Sequence, residues 1–217
     1  MARTDGAGGG RPEKRQAIVR AATTVFGREG YARASMDAIA AEAGVSKRTI
    51  YNHFADKESL FLAVALENSA ALTEHIRDLA AQHLSDVSDL RASLLDFAVA
   101  RAAAVFSAAD HGAVGRAIRA EVANLPPDVL TAWLAAGPQA SQQDLAGHLE
   151  RLAARGLLAF DDVGVDVAAE HYTLLTFHPA ADRSFWGALP ISEDEIRRVA
   201  APGVDAFLRC YGGPELR

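Results

Sequence analysis

Cysteine is nearly absent from this chain, since Cys210 is its single thiol in 217 residues. One thiol excludes an intramolecular disulfide, and it also excludes metal sites that are built from spaced cysteines. Apolar packing must therefore hold the fold together, and the 50% of hydrophobic residues can supply a core of that kind. A reducing cytosol suits this composition.

Long apolar runs are also missing from the sequence. No segment reaches about 18 uninterrupted apolar residues, the length that a helix needs to cross a bilayer. The N-terminal stretch MARTDGAGGGRPEK lacks the apolar segment of a signal peptide. We therefore expect a cytoplasmic protein without a membrane partner, and we interpret the glycine-rich residues 1–12 as a flexible arm.

Catalytic motifs are scarce. The sequence has no HExxH pair, and the glycines of GAGGG follow no strand that could present them to a phosphate. His171 and His178 lie two turns apart, and with His148 and either Asp144 or Glu170 they could form a metal site. Because lone histidines on helices are mostly structural, we predict no catalytic residue, metal or cofactor. A helical metal-dependent hydrolase and a protein-interaction adaptor are the alternative functions.

Signals for β-strands are absent beyond about residue 75, where the apolar residues recur at helical spacing. The sequence therefore predicts an all-α fold, in which a long fourth helix joins a small N-terminal domain to a helical body. Gly137 and Pro138 predict an interruption, and Pro202 predicts a kink in the last helix. The predicted body helices lie near 88–108, 112–124, 128–154, 165–178 and 192–211.

Charge is divided unevenly along the chain. The formal net charge is −6, but the first 60 residues carry ten Lys and Arg against seven Asp and Glu, whereas the remainder carries 12 against 21. A basic head can approach phosphates while an acidic body keeps the protein soluble. This asymmetry favours a protein that binds nucleic acid through its N-terminal part.

The stretch 35–57, SMDAIAAEAGVSKRTIYNHFADK, predicts two short helices joined by a tight turn. Ser35 is placed to cap the first helix, Gly44 to end it, and Ser46 to begin the second. In the second helix Ile50 and Phe54 share the inward side. The outward and flanking positions carry side chains that can donate hydrogen bonds to phosphates or base edges: Lys47, Arg48, Thr49, Tyr51, Asn52 and His53. Helical spacing alone leaves open whether this is a solvated face or a DNA-recognition face.

The run GVSKRTIYNHFADKESLF, preceded by VFGREGY and ASMDAIAAEA, resembles the DNA-binding domain of TetR-like transcriptional repressors over residues 13–72. The resemblance implies a helix-turn-helix domain at 13–58, an effector-binding and dimerisation domain at 59–217, and a homodimer on a palindromic DNA operator that a small-molecule effector releases. It also implies that Ser35 and Lys57 contact phosphates and that residues among the six above contact bases and the DNA backbone. Arg48 stands where many members carry a small residue, so base preference cannot be transferred. RAIRAEVANLP, LAARGLL, AAEHYTLL and DAFLRCYG are similar to the C-terminal domain of the AefR-like subgroup.

The last two predicted helices carry apolar stripes that we interpret as the dimer interface, although both stripes could instead face the monomer core. Arg101 falls in the middle of an apolar face of the fifth helix. A buried guanidinium needs a partner, so Arg101 pairs with a carboxylate such as Glu121, reaches solvent, or awaits a ligand. The predicted stripes consist of Ile196, Ala200, Val204, Phe207, Leu208 and Tyr211 and of Ala168, Tyr172 and Leu175; the predicted effector pocket consists of Phe97, Arg101, Trp133, His171, Tyr172 and Thr176.

Overall fold

The computed structural model describes residues 10–107, 109–160 and 163–214, together with the side chains of these residues except those of 107 and 109–111. Within these ranges the chain forms α-helices and no strand beyond an isolated bridge between Leu158 and Gly212, which confirms the predicted all-α fold. The helices are α1 (Arg11–Arg33), α2 (Met36–Ala43), α3 (Lys47–Tyr51), α4 (Lys57–Leu84), α5 (Leu90–Ser107), α6 (Ala109–Ala120), α7 (Pro127–Leu134), α8 (Ala140–Ala154), α9 (Val165–Thr176), α10 (His178–Arg183) and α11 (Glu193–Tyr211).

The predicted arm lies outside the described residues as far as residue 9, and Arg11 and Pro12 belong to α1 rather than to the arm. Helix α1 is interrupted at Gly30, where φ is 79°. Among the described residues, no helix combines the length and the apolarity that crossing a membrane requires.

The caps predicted for the helix-turn-helix unit are present. The Ser35 hydroxyl accepts a hydrogen bond from the Ala38 amide at 3.1 Å, and the Ser46 hydroxyl accepts one from the Thr49 amide at 3.1 Å. Gly44 ends α2 in the left-handed region at φ 63°. These local interactions satisfy helix-end donors that would otherwise lack partners, so they fix both boundaries of the turn between α2 and α3.

An aromatic cluster forms the centre of the N-terminal core. The Phe61 ring lies 4.9 Å from the Phe26 ring and 4.7 Å from the Tyr31 ring, measured between centroids. Ile50 and Phe54 are buried in the same core, as the sequence predicts. The side of α3 that they occupy is therefore closed, and the opposite side faces outward.

This N-terminal core continues into the body. It includes residues of α6 and α7, among them Val114, Ile118 and Trp133. Helix α1 packs closely on α6, since a Cβ atom on Gly27 would lie 2.9 Å from the Cβ of Ala113. The domain boundary predicted after residue 58 stays a prediction, because apolar packing crosses it.

Helices α7 and α8 are joined by a π-helical turn, Ala135–Gln139, at the place where the sequence predicts an interruption. Gly137 is buried there against Ser69, and the Thr73 hydroxyl donates to the Ala136 carbonyl at 3.1 Å. The helical course thus continues through Pro138, with α4 supplying a hydrogen bond to the widened turn.

The second core lies in the body and corrects the predicted dimer stripes. In α11, Ile196, Ala200, Val204, Phe207 and Tyr211 are buried inside the monomer, and Ala168 and Tyr172 of α9 are buried with them, while Leu175 and Leu208 are partly buried against this core. The apolar stripes face inward because α5, α9 and α11 pack on one another. Their assignment to the dimer interface is therefore wrong.

The region between α9 and α11 also differs from the sequence prediction. A short helix, α10, forms between the two helices predicted at 165–178 and 192–211, and it continues to Arg183. Three consecutive residues then adopt positive φ: Phe185 at 47°, Trp186 at 59° and Gly187 at 79°. This rarely populated backbone holds Trp186 against the body, where its amide donates to the Ala181 carbonyl at 2.7 Å.

Candidate nucleic-acid interface and body cavity

Helix α3 is a short rod anchored at both ends. It ends at Tyr51, so Asn52 and His53 lie on the turn that follows rather than on the helix itself. The Asn52 amide still bonds the Arg48 carbonyl at 3.1 Å, which keeps the turn helix-like. Asn52 and His53 therefore still line one groove together with Thr49, even though the helix is shorter than the sequence indicates.

The outward side of α3 presents unpaired polar groups. Arg48 and Asn52 are exposed, and neither side chain forms a hydrogen bond within the part of the chain that the structure describes. Tyr51 is 47% exposed although it is large and aromatic. Groups of this kind match what a recognition helix needs to reach base edges in a major groove.

The first turn of α1 contributes two basic residues that the sequence analysis missed. Arg11 and Lys14 line a shallow groove with Thr49, Asn52 and His53. Both cations are exposed and belong to one helical turn, so they extend the polar side of α3 with positive charge. Their spacing of three residues indicates that they share one side of a helix. The sequence does not show, however, that this side lies next to the end of α3.

Lys47 is already engaged at the edge of this surface. Its ammonium lies 2.9 Å from the Asp37 carboxylate, and this hydrogen bond is the main reason that the pKa of Lys47 is raised. Ser46 and Thr49 share a hydrogen bond between their hydroxyls at 2.8 Å. Exposed ion pairs contribute little to stability, so exchanging Asp37 for a DNA phosphate costs Lys47 little.

Lys57 lies against the end of α1. Its ammonium donates to the carbonyls of Tyr31 at 2.9 Å and Ala34 at 3.2 Å, and it stands 4.5 Å from the centroid of the Tyr31 ring. A cation at these carbonyls stabilises the helix end. The phosphate contact of Lys57 stays a prediction, and so does that of Ser35, whose hydroxyl caps α2.

A cavity of about 210 Å³ lies in the body between α4, α5, α6, α8 and α9. Of the six residues predicted for an effector pocket, Arg101 and Trp133 line this cavity. Phe97, Tyr172 and Thr176 are buried in the body core beside it, and the Tyr172 hydroxyl donates to the Leu94 carbonyl at 2.6 Å. His171 is exposed and bonds the Tyr211 hydroxyl on α11, so the structure does not bring these four residues into the cavity wall.

Arg101 is buried at the cavity wall with 8% of its surface exposed. Its Nη1 donates to the Thr173 hydroxyl at 2.9 Å, and its guanidinium carbon lies 5.3 Å from the centroid of the Phe177 ring. Burial lowers the pKa of Arg101, because an apolar site disfavours the charged form. The suggested pairing with Glu121 is wrong, because the Glu121 carboxylate accepts a hydrogen bond from the Ala32 amide at 2.8 Å instead.

A second cation at the cavity, Arg119, did not emerge from the sequence. Its guanidinium carbon lies 4.0 Å from the ring centroid of Trp186 and 5.3 Å from that of Trp133. Arg119 as a whole is exposed, but partial desolvation of its guanidinium between the rings lowers its pKa as well. Stacking on aromatic faces compensates part of the lost hydration of a guanidinium, so these rings hold Arg119 in place.

The histidines considered for a metal site are dispersed. Within the described ranges, no group of three or more His, Cys, Asp or Glu side chains is arranged to hold a metal ion. His148 is buried on α8, His171 faces α11, and His178 lies at the start of α10 beside the cavity.

Two family models match the chain. One, described as bacterial regulatory proteins of the tetR family, matches residues 18–64, and the other, described as the C-terminal domain of AefR-like transcriptional repressors, matches residues 92–213. A solved structure of a TetR-family transcriptional regulator from Mesorhizobium loti is 30% identical, covers 93% of this chain and 98% of its own, and superposes with a TM-score of 0.82.

Curated relatives match parts of the chain. The transcriptional activator FasR of Mycolicibacterium smegmatis is 38% identical over 87 residues, which are 40% of each chain. The transcriptional repressor AcnR of Corynebacterium diphtheriae is 37% identical over 65 residues, which are 30% of this chain and 34% of AcnR. The matches thus span less than half the length of either curated relative.

Proposed function

Because the chain belongs to the TetR family of bacterial transcriptional regulators, as its sequence resemblance implied, we propose that it is a repressor that binds a palindromic operator as a homodimer and that a small molecule releases. Acting on the chromosome places such a repressor in the bacterial cytoplasm. The observation that carries this proposal is the outward side of α3, where Arg48 and Asn52 are exposed and without a described hydrogen-bond partner.

The assignment of roles follows from geometry. Arg48 and Asn52 point away from a closed core, so they are the side chains best placed to bond base edges. Arg reads guanine and Asn reads adenine through paired hydrogen bonds in the major groove. Arg11 and Lys14 on α1 line the same groove and can bind phosphates. Phosphate contacts fix the position of a protein on DNA without reading the base sequence.

We expect Arg48→Ala and Asn52→Ala each to weaken binding to the operator by about 1–3 kcal/mol and to relax base preference at one position. Lys14→Ala should weaken binding to every sequence alike and reduce the salt slope by about one unit. The operator is first selected from a pool of random duplexes with the purified protein, and affinity is then measured on operator and scrambled DNA at several salt concentrations.

Glu74→Ala is the control for these measurements, because Glu74 lies on the exposed side of α4 far along the chain from α3 and pairs only with Arg77 among the described residues. It should leave operator affinity unchanged. If the Arg48 and Asn52 variants lose equal affinity for operator and scrambled DNA, the base-reading role of α3 is refuted.

The proposed homodimer uses a different surface from the buried stripes. On the outer side of α9, Val167 is 38% exposed and Leu174 is 46% exposed, two turns apart on one face. The neighbouring side of α11 carries Val199, Pro202 and Ala206 at helical spacing, and each retains some exposure. Small and apolar side chains on two adjacent helices suit a two-fold helical interface, in which every contact occurs twice.

We expect Leu174→Glu to convert the dimer to a monomer, because the two-fold axis places an unpaired carboxylate in the interface twice. Light scattering at micromolar concentration measures the mass, and circular dichroism verifies that the variant is folded. Val163→Glu serves as the control, since Val163 is 42% exposed but precedes α9. A wild-type protein that is monomeric at this concentration, or a Leu174→Glu variant that stays dimeric, would contradict the proposed surface.

Helix α6 is the element through which a ligand can influence DNA binding. Gly112, Gly115 and Arg119 line the cavity, whereas Ala113 packs against Gly27 of α1. At the C-terminal end of α6, the Glu121 carboxylate holds the Ala32 amide. If α6 can occupy two positions, a ligand that binds one of them more tightly changes the distance between the two DNA-binding domains of the dimer. A ligand that binds both positions equally leaves this distance unchanged.

A further inference from the structure

The ionisable groups that the structure describes around the body cavity are all basic, and none is a carboxylate. Among the residues that the structure describes, the ionisable side chains in its wall are Arg101, Arg119 and His178. No described carboxylate forms an ion pair with either arginine. A cavity of this kind attracts anions, because a guanidinium in an apolar site is stabilised by an opposite charge.

One buried hydrogen-bond donor near Arg101, the side-chain amide nitrogen of Gln142, lacks a described acceptor. The Thr173 hydroxyl oxygen accepts from Arg101, and its proton is donated to Gln142 Oε1 at 3.1 Å. This arrangement fixes the orientation of the Gln142 amide and turns its Nε2 away from Thr173. That nitrogen is buried and has no hydrogen-bond partner among the residues that the structure describes. Arg101 and Gln142 therefore offer buried donors to one acceptor, and both line the cavity.

The remainder of the wall is apolar and aromatic. Leu72, Ile76 and Val105 contribute aliphatic surface, and the Trp133, Phe177 and Trp186 rings line the wall with them. The volume of about 210 Å³ is small for a ligand site. Since a dry cavity of roughly 150 Å³ holds benzene, this one has room for one ring, or a short acyl chain, and a polar head.

We infer that the cavity binds a small organic acid whose single carboxylate accepts hydrogen bonds from Arg101 and Gln142 and whose apolar body lies against the tryptophan rings. A carboxylate has the planar pair of oxygens that matches a guanidinium. This inference rests on the proposed function, since it names the chemical class of the releasing effector.

The test compares matched acids and alcohols by isothermal titration calorimetry on the full chain. The probes are benzoate, 3-phenylpropanoate and hexanoate, each against benzyl alcohol, 3-phenylpropan-1-ol and 1-hexanol. At least one acid should bind with a dissociation constant below about 1 mM, and its alcohol should bind at least about tenfold more weakly, as expected for hydrogen bonds to a charged group. Equal binding of acid and alcohol, or no acid within this range, overturns the inference.

Two cavity variants locate the binding. Arg101→Met keeps the length of the side chain and removes the charge, so it should abolish the preference for the acid while leaving the protein folded. Gln142→Glu places a carboxylate next to Thr173, and it should raise the melting temperature of the free protein by pairing with Arg101 and abolish binding of the acid. Arg91→Met is the matched control, because Arg91 lies on the same helix but pairs with Asp205 on the surface. If Arg101→Met keeps the preference for the acid, the site lies elsewhere.

Operator binding in the presence of each probe separates this inference from the proposed function. An acid that binds in the cavity and leaves operator affinity unchanged supports the chemical class and contradicts release by an effector. Alcohols that bind as well as the acids and release the operator contradict the chemical class and support release. The two failures therefore give different results.

Discussion

Replacing Gly203 by alanine should destabilise the protein by at least about 3 kcal/mol, even though alanine is the better helix former. Gly203 is buried where α11 crosses α9, and a Cβ atom there would collide with the Leu175 carbonyl oxygen. Backbone atoms on the neighbouring helix cannot rotate away as a side chain can, so the two helices must separate. Urea unfolding followed by circular dichroism measures the loss.

Gly147→Ala is the control for this prediction. Gly147 also lies within a helix, but a Cβ atom there would approach only Arg151 Nη1, at 3.5 Å. Helix propensity alone then decides the result, and we expect a gain of up to about 1 kcal/mol. If both alanines stabilise the protein, the close approach of α9 and α11 at Gly203 is refuted. If the Gly203 variant also loses its dimer, the same crossing shapes the proposed interface.

The helix-turn-helix unit could be predicted from sequence because its signals are local. Ser35, Gly44 and Ser46 mark helix ends within a few residues of the groups they satisfy. Ile50 and Phe54 then settle which side of α3 is closed. The family resemblance rests on the same local signals, and the family matches confirm it.

The body was harder to predict because its signals are not local. A helix with one apolar stripe packs in the same way against its own chain or against a second copy, and helical spacing does not distinguish the two. In α11 the large apolar residues Ile196 and Phe207 face the monomer core, whereas Ala206, an apolar residue that remains partly exposed on α11, is smaller. Large side chains bury more apolar surface, which explains why the more conspicuous stripe belongs to the core.

The contacts of the polar residues around the cavity could not be predicted either, because they too are non-local. The sequence places Arg101 within an apolar face, but its partner Thr173 is 72 residues away. Arg119 was missed because Trp133 and Trp186, which hold it, come from different elements along the chain. Glu121 accepts a hydrogen bond from an amide 89 residues away rather than pairing with Arg101. Each of these contacts joins elements that are separate along the chain, so it depends on how the helices pack and not on any single stretch of sequence.

Truncating Phe61 to alanine should lower the free energy of unfolding by about 3–5 kcal/mol, because it empties the centre of the N-terminal core. Phe61 is fully buried, and its ring contacts both Phe26 and Tyr31. Phe185→Ala is the matched control: Phe185 is 67% exposed, so the same truncation should change stability by less than about 0.5 kcal/mol.

The Phe61 variant also tests whether the head unfolds by itself. Phe61 and Trp133 belong to one core, although α7 lies far beyond the head in sequence. Tryptophan fluorescence, which reports on Trp133 and Trp186 in the body, should therefore shift to lower urea together with the far-ultraviolet circular dichroism, as one cooperative transition. The alternative result is a circular dichroism signal that falls at lower urea while the fluorescence midpoint stays unchanged. This result would show that the DNA-binding domain is an independent folding unit and that α6 does not couple it to the body.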